Sequence, residues 1–190
     1  ASFDVTGAFL NARLEEEQYM TLSKQIASVL IARDPSLAKY LHKDGSMVVS
    51  LLKCLYGLRQ SPKSWYDTVE PVLVNELKYT RSSFDRCLFF RMDGENLSII
   101  ILYVDDFLVF SKHQEVFDEI YKVLIANFDE VTRKDGDRQS FLGLQIVRDP
   151  NSGDYSASLE GFIDKAVANL DDPTIALRGI LAARNEAGFL

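Results

Sequence analysis

Residues 97–110 read Leu-Ser-Ile-Ile-Ile-Leu-Tyr-Val-Asp-Asp-Phe-Leu-Val-Phe, two apolar segments joined by a pair of aspartates. The segments 97–104 and 107–110 are rich in β-branched and aromatic residues, which favour strands. Asp105 and Asp106 between them are typical of a tight turn. The stretch therefore predicts a β-hairpin that carries two carboxylates at its tip. Aspartates are also ordinary turn residues, so a purely structural role for the pair stays open.

The segments on either side place this hairpin in a larger fold. Apolar periodicity predicts a strand at 1–5, a helix at 62–77 with a kink at Pro71, a helix at 113–128 and a strand at 140–147. With 11–53 treated as an insertion, the order is β-α-β-β-α-β, the ferredoxin-like arrangement. We therefore predict an α+β fold, an antiparallel sheet backed by helices. In it, strand 107–110 lies between strands 1–5 and 97–104 and runs antiparallel to both.

Shorter elements complete the prediction. A second hairpin joins 87–92 to 97–104 through Asp-Gly-Glu-Asn, a strong turn signal. Within the insertion we expect an exposed acidic run at 15–18, a helix that starts after Ser23, a short helix restarted by Pro35, and a strand at 47–53.

Composition narrows the class of protein. The chain has 190 residues, 47% of them hydrophobic, and a net charge of −7, which fits one folded domain. Its longest apolar stretch is too short for a membrane span, so no membrane partner is expected. Two cysteines and two isolated histidines disfavour a disulfide framework, a zinc site and a His-centred triad. We expect an intracellular protein whose polar chemistry depends on carboxylates.

The predicted topology brings three carboxylates together. Because strands 1–5 and 97–104 are parallel, Asp4 at the end of the first lies beside Asp105 and Asp106 at the end of the second. At about 5 Å and an effective dielectric constant of about 20, each like-charge pair costs about 3 kcal/mol. Carboxylates without nearby histidine or cysteine favour Mg²⁺ or Mn²⁺. Two such ions, roughly 3.5–4 Å apart, catalyse in-line phosphoryl displacement.

A local basic segment supports a nucleic-acid partner. Residues 45–66 contain no acidic residue, yet they carry Lys53, Arg59 and Lys63 among aromatic residues. Basic side chains interleaved with aromatic ones suit a phosphate backbone and stacked bases.

Four blocks of the sequence resemble a known family in their order along the chain. They are Asp-Val-Thr-Gly-Ala-Phe-Leu-Asn at 4–11, Leu-Tyr-Gly-Leu-Arg-Gln-Ser-Pro at 55–62, Tyr-Val-Asp-Asp at 103–106 and Phe-Leu-Gly-Leu at 141–144. The chain resembles, over roughly residues 2–170, the reverse transcriptase of the Pol polyprotein of copia-type LTR retrotransposons (Pseudoviridae). The resemblance implies a polymerase palm that transfers a nucleotide from a dNTP to a primer 3′-hydroxyl with two Mg²⁺ ions.

The resemblance also assigns roles to individual residues. It implies catalytic carboxylates at Asp4, Asp105 and Asp106, and metal binding by the same three residues with Val5. It places Phe9, Gly57, Arg59 and Tyr103 at the dNTP, with Phe9 excluding a 2′-hydroxyl. It places Lys53, Lys63, Leu142 and Gly143 on nucleic acid, the last two in a primer grip. Core packing for Phe9, a simple turn for Gly57 and ordinary strand packing for 142–143 remain alternatives.

The same resemblance divides the chain and suggests partners. Residues 1–135 would form the palm, with 11–53 on the fingers side, and 136–170 the primer-grip hairpin and the start of a thumb; 171–190 match no pattern. The fingers are expected to be largely missing, so the chain is expected to be a polymerase by ancestry that is inactive on its own. The implied partners are an RNA template, a DNA primer, dNTP and the integrase and RNase H regions of the polyprotein, in cytoplasmic virus-like particles. A catalytically inactive remnant that binds nucleic acid or is inert remains the alternative function.

Overall fold

The computed structural model describes residues 1–168. The strands in this part are β1 (Ser2–Val5), β2 (Arg13–Leu22), β3 (Met47–Lys53), β4 (Thr80–Arg81), β5 (Leu88–Asp93), β6 (Asn96–Tyr103), β7 (Asp106–Phe110), β8 (Val131–Lys134), β9 (Arg138–Phe141), β10 (Leu144–Arg148) and β11 (Tyr155–Ser158). The helices are α1 (Ala8–Asn11), α2 (Lys24–Arg33), α3 (Ser61–Pro71), α4 (Gln114–Asn127) and α5 (Glu160–Ala168). A 3₁₀ helix spans Pro35–Tyr40 and a π-helical turn spans Val72–Glu76.

Six strands form the main sheet in the order β4-β5-β6-β7-β1-β8, and every neighbouring pair is antiparallel. β7 lies between β1 and β6, so the order predicted for these three strands is confirmed. β1 and β6 are therefore parallel to each other, and their C-terminal ends lie at the same edge of the sheet.

The predicted fourth strand at 140–147 is wrong. β8 occupies that place beside β1, with Val131 opposite Val5. Residues 138–158 instead form a separate three-stranded sheet in the order β11-β10-β9. β8 has a weak sequence signal because only Val131 among its residues is buried, while Arg133 pairs with Asp118 of α4.

Two smaller predictions are confirmed in part. The run 15–18 belongs to β2, although Glu15, Glu16 and Glu17 are exposed there as expected. The predicted helix 62–77 is divided at Pro71, where α3 ends and the π-helical turn begins. A proline lacks the N–H that a regular α-helix needs, and the wider turn accommodates it.

One face of the main sheet carries the hydrophobic core. Alternate residues such as Phe3, Ile100 and Phe107 are buried against α3 and α4, where Trp65 and Leu124 lie. The other face carries no helix of this core; by the same alternation it presents Asp4, Tyr103 and Asp106.

The insertion 11–53 forms a small unit of its own. β2 pairs with β3, and α2 covers them through a minor core of Leu22, Ala27 and Met47. Across residues 1–168, no helix combines the length and the hydropathy needed to traverse a lipid bilayer.

Candidate active site

Three aspartates meet where β1 ends and β6 turns into β7. Asp4 is the direct partner of Asp106 across the β1–β7 pair. The backbone N–H of Val5 donates to the carbonyl oxygen of Asp105 at 3.0 Å, which joins the end of β1 to the turn. The backbone ends of these strands therefore meet in the predicted order, and we call the three residues the carboxylate corner.

The turn that carries Asp105 is strained and anchored. Val104 has a φ of 53°, in the left-handed region that a β-branched side chain rarely adopts. The indole N–H of Trp65, a buried residue of α3, donates to the carbonyl oxygen of Val104. Strained backbone persists where surrounding contacts determine it. The core helix thus fixes the conformation that presents the aspartates.

Charge repulsion and burial act on the carboxylate corner together. Burial raises the pKa of Asp4 above its ordinary value, and the charge of Asp105 raises it further. Burial likewise raises the pKa of Asp106, with additional contributions from Asp105 and then Asp4. Lys134 opposes both shifts. Its position on β8 is opposite Ser2, so it lies on the same face of the sheet as Asp4.

The donor set of the corner suits a hard divalent cation, because it consists of carboxylates that repel one another. Within residues 1–168, however, no three His, Cys, Asp or Glu side chains are gathered closely enough to hold a metal ion. The backbone therefore brings the three aspartates to one place, and their side chains need to converge to coordinate an ion.

Phe9 and Tyr56 form an aromatic pair beside the corner. Their ring centroids are 4.7 Å apart, and Phe9 is buried whereas Tyr56 is 59% exposed. Burial raises the pKa of the Tyr56 phenol, and the charges of Asp105 and Asp4 raise it further. Gly57 follows with a φ of 95° and open space around it, so this position requires a left-handed turn. The pair brings the predicted sugar gate within electrostatic range of the aspartates.

The remaining predicted dNTP and nucleic-acid residues are more scattered. Tyr103 pairs with Asp106 across the turn and is 54% exposed. Arg59 is exposed in the loop before α3. Lys53, at the end of β3, lies 3.9 Å from Asp129, and Lys63, in the first turn of α3, pairs with Asp67. Tyr103 alone of these four is paired with a residue of the corner.

Leu142 and Gly143 lie outside the main sheet, in the two-residue turn between β9 and β10. Their φ values of 51° and 82° are those of a type I′ hairpin. β9 is tied to the main sheet by a bond from the Ser2 hydroxyl to Gln139 at 2.8 Å, and Phe110 contacts Tyr155 of β11. Within residues 1–168, no hydrogen bond or ion pair joins the 142–143 turn to the carboxylate corner.

Sequence reasoning missed two residues that act on the corner. Tyr56 lies in the segment 55–62 that carries part of the family resemblance, but nothing in the sequence pattern showed that its phenol lies near Asp105. Lys134 stood in a segment not recognised as a strand; the alternation of Val131 and Arg133 with polar residues was the available signal.

These features define a class of α+β domain in which strand ends bring acidic residues to one edge of an antiparallel sheet. A family model described as "Reverse transcriptase (RNA-dependent DNA polymerase)" matches residues 1–174. The chain is 33% identical over 166 residues to the Retrovirus-related Pol polyprotein from transposon TNT 1-94 of Nicotiana tabacum, covering 86% of the chain and 11% of that protein.

Two further relatives agree. The corresponding polyprotein from transposon RE2 of Arabidopsis thaliana is 28% identical over 148 residues, 77% of the chain and 9% of that protein. The Transposon Ty1-DR1 Gag-Pol polyprotein of Saccharomyces cerevisiae is 28% identical over 149 residues, 75% of the chain and 7% of that protein. The chain belongs to the reverse transcriptase family of copia-type retrotransposons, and it spans 7–11% of the length of these relatives.

Proposed function

We propose that the chain is the palm of an RNA-directed DNA polymerase, and that the carboxylate corner is its catalytic centre. The observation that carries the proposal is the pairing of Asp4 with Asp106 beside the Val5–Asp105 hydrogen bond. Chain folding does not by itself require three carboxylates at one partly buried corner, since their mutual repulsion opposes it. The order β8-β1-β7-β6 with α3 and α4 on one face supports a ferredoxin-like palm core.

The three aspartates would hold the metal ions, Asp4 and Asp105 as the main ligands, with Asp106 weaker and Val5 adjoining them. Bound there, Mg²⁺ or Mn²⁺ supplies Lewis acidity toward the primer 3′-hydroxyl and the phosphates of the dNTP. Asp105 is held in place from two sides. The backbone N–H of Val5 donates to the carbonyl oxygen of Asp105, and the indole N–H of Trp65 donates to the carbonyl oxygen of Val104. Fixed ligands lower the reorganisation that the reaction requires.

Phe9 and Tyr56 would form the wall of the nucleotide pocket on the sugar side. Phe9 packs against the Tyr56 ring in a tilted arrangement, with an interplanar angle of 52°, and from this position its bulk would exclude a 2′-hydroxyl. Gly57 would permit close approach of the backbone, and Arg59 and Tyr103 are the further proposed contacts to the dNTP. Phe9→Val should raise ribonucleotide incorporation relative to dNTP, by about tenfold. An unchanged ratio in single-nucleotide extension would assign Phe9 to the core alone.

Nucleic acid would bind across the edge of the sheet at which the carboxylate corner lies, which the N-terminal end of α3 approaches through the Trp65–Val104 hydrogen bond. Lys53 and Lys63 would contact the backbone of the template and primer, and the Leu142–Gly143 turn would position the primer end. The RNA template, the DNA primer and the integrase and RNase H regions of a Pol polyprotein are the proposed partners.

The decisive experiment is primer extension on an RNA template by the chain expressed in its full reading frame. Asp105→Asn should lower the extension rate by at least about 100-fold, since a metal ligand is lost. Asp93→Asn is the matched control, because Asp93 is the last residue of β5 and pairs with Asn96 at the other end of β6. Circular dichroism should be unchanged for both variants.

Two outcomes would reject the proposal. Full extension by Asp105→Asn would show that the corner is not catalytic. No extension by the folded wild-type protein, in Mg²⁺ or Mn²⁺, would favour the inactive remnant.

A further inference from the structure

The 82–87 loop joins β4 to β5 at the same end of the main sheet as the carboxylate corner. Leu88 pairs with Ile101, and the N–H of Leu102 donates to the carbonyl oxygen of Cys87 at 2.9 Å. The loop is therefore one strand away from the turn that carries Asp105. This part of the chain belongs to none of the blocks that carry the family resemblance.

Phe84 stands at the tip of this loop with 99% of its surface exposed. The backbone of this loop is held by several hydrogen bonds. Ser82 is buried, its hydroxyl oxygen accepts from the N–H of Phe84 at 3.1 Å, and its own N–H donates to the carbonyl oxygen of Leu88 at 2.8 Å. The Asp85 carboxylate accepts from the N–H of Cys87 at 2.8 Å. The backbone is thus ordered while the aromatic ring is presented to solvent.

Arg86, two residues on, lies over a second aromatic ring. Its guanidinium carbon is 5.1 Å from the ring centroid of Tyr66 on α3, and the Tyr66 hydroxyl donates to the Arg86 carbonyl oxygen at 2.7 Å. Tyr66 also raises the pKa of Arg81, whose guanidinium pairs with Glu70. We call Tyr66, Phe84 and Arg86 the aromatic platform.

Of the basic side chains around the platform, Arg86 is the one whose charge is not neutralised by a carboxylate. Lys63 pairs with Asp67 and Arg81 with Glu70. Among residues 1–168, Arg86 forms no ion pair. The neighbouring Asp85 carboxylate accepts a hydrogen bond from the backbone N–H of Cys87. An exposed aromatic face beside an unpaired guanidinium is the combination that binds single-stranded nucleic acid, through a stacked base and a phosphate.

We propose that the aromatic platform binds unpaired template nucleotides next to the carboxylate corner, an inference that rests on the proposed polymerase function. A base stacks on Phe84, and Arg86, held by Tyr66, meets the adjoining phosphate. Duplex is disfavoured as the ligand because its bases are already stacked on each other and offer no free face to the ring.

The test measures fluorescence anisotropy of two labelled primer–template duplexes, one with a five-nucleotide 5′ template overhang and one blunt. The wild-type chain should prefer the overhang by about tenfold, and Phe84→Ala should reduce that preference by about fivefold or more, since stacking on one base is lost. Arg86→Ala should weaken overhang binding and lower the slope of log affinity against log salt by about one. Because Phe84 is fully exposed, its removal does not endanger the fold.

A matched control is available in the insertion. Tyr40, over whose ring Lys39 lies at 4.9 Å, is 56% exposed, so Tyr40→Ala removes an exposed aromatic ring next to a cation that is not part of the 82–87 loop. This variant should keep the overhang preference. An equal loss of preference in Tyr40→Ala and Phe84→Ala would overturn the proposal.

The remaining outcomes separate the two claims. If wild-type protein extends primers and Phe84→Ala keeps its overhang preference, the platform is wrong and the polymerase assignment stands. If wild-type protein does not extend primers but loses overhang preference on Phe84→Ala, the platform is a single-strand site and the polymerase assignment fails.

Discussion

Two hairpin turns of the molecule place an aliphatic residue in the left-handed region, and they differ in what surrounds it. Val104 (φ 53°) lies between β6 and β7, partly buried, with its carbonyl oxygen bonded to the Trp65 indole. Leu142 (φ 51°) lies between β9 and β10, half exposed, and is followed by Gly143. A left-handed conformation costs a non-glycine residue about 1–2 kcal/mol.

The difference shows two ways of keeping an unfavourable backbone conformation. At Val104 the core imposes the strain, and the result is a fixed position for Asp105. At Leu142 the type I′ turn imposes it, and the side chain contributes little packing in return. An exposed leucine where asparagine or glycine would fit better is a departure from local preference, which is expected at functional positions. This supports the proposed primer contact.

The largest effect is expected from removing the anchor of the first turn. Trp65→Phe keeps an aromatic ring against Phe128, 5.0 Å away in the wild type, but deletes the donor to Val104. Extension should fall by about 100-fold, because a displacement of about 1 Å at the reacting groups has that cost. Tyr79→Phe is the control, since it deletes another buried donor, the one to Ser98. Equal extension rates for the two variants would show that the Trp65 bond does not position the aspartates.

The carboxylate corner could be predicted from sequence because the hairpin and the β-α-β-β order fix which strand ends meet. The anchor could not. Trp65 lies at core spacing on its helix, and the pattern of apolar residues does not show where the indole N–H points. The fourth strand was misplaced for a related reason: β8 buries only Val131, while 140–147 alternates more regularly and forms a different sheet.

The next prediction concerns the negative charge of Asp105 and Asp106 at the β6–β7 turn, which the 142–143 turn lacks. Asp106→Asn should stabilise the protein in metal-free buffer by roughly 0.5 kcal/mol after solvent screening, because it removes repulsion from Asp4 and Asp105. Mg²⁺ should abolish this advantage. Lys134→Met should act in the opposite direction, and urea denaturation measures both. A less stable Asp106→Asn protein would contradict the repulsion.

The same repulsion predicts a dependence on pH. The pKa values of Asp4 and Asp106 are raised in the folded state, so the folded state binds protons more readily than the unfolded chain just above the ordinary aspartate pKa. These two groups therefore add stability as pH falls through that range and lose it as pH rises. Asp106→Asn should weaken the dependence.

A gain in stability of similar size is expected from a substitution at the second turn. Leu142→Gly relieves about 1–2 kcal/mol of left-handed backbone strain. Because glycine loses more conformational entropy on folding, the substitution also costs about 0.5–1 kcal/mol. Since the leucine side chain packs against neither hydrophobic core, little packing is lost and the free energy of unfolding should rise by about 0.5 kcal/mol. If Leu142 contacts the primer, affinity for a primer–template should fall while stability rises. A loss of both would mean that Leu142 has a packing role.

The smallest change is expected from the same substitution at the first turn. Val104→Gly relieves similar strain and has the same entropic cost, but it also removes a side chain that packs partly against the main core. Half of the burial of a valine is worth about 1 kcal/mol, so the three contributions nearly cancel and stability should change by less than about 0.5 kcal/mol. Extension should nevertheless fall, because glycine lets the turn that holds Asp105 move. Stability that rises as much as in Leu142→Gly would show that the Val104 side chain contributes no packing, and that the Trp65 bond alone holds the turn.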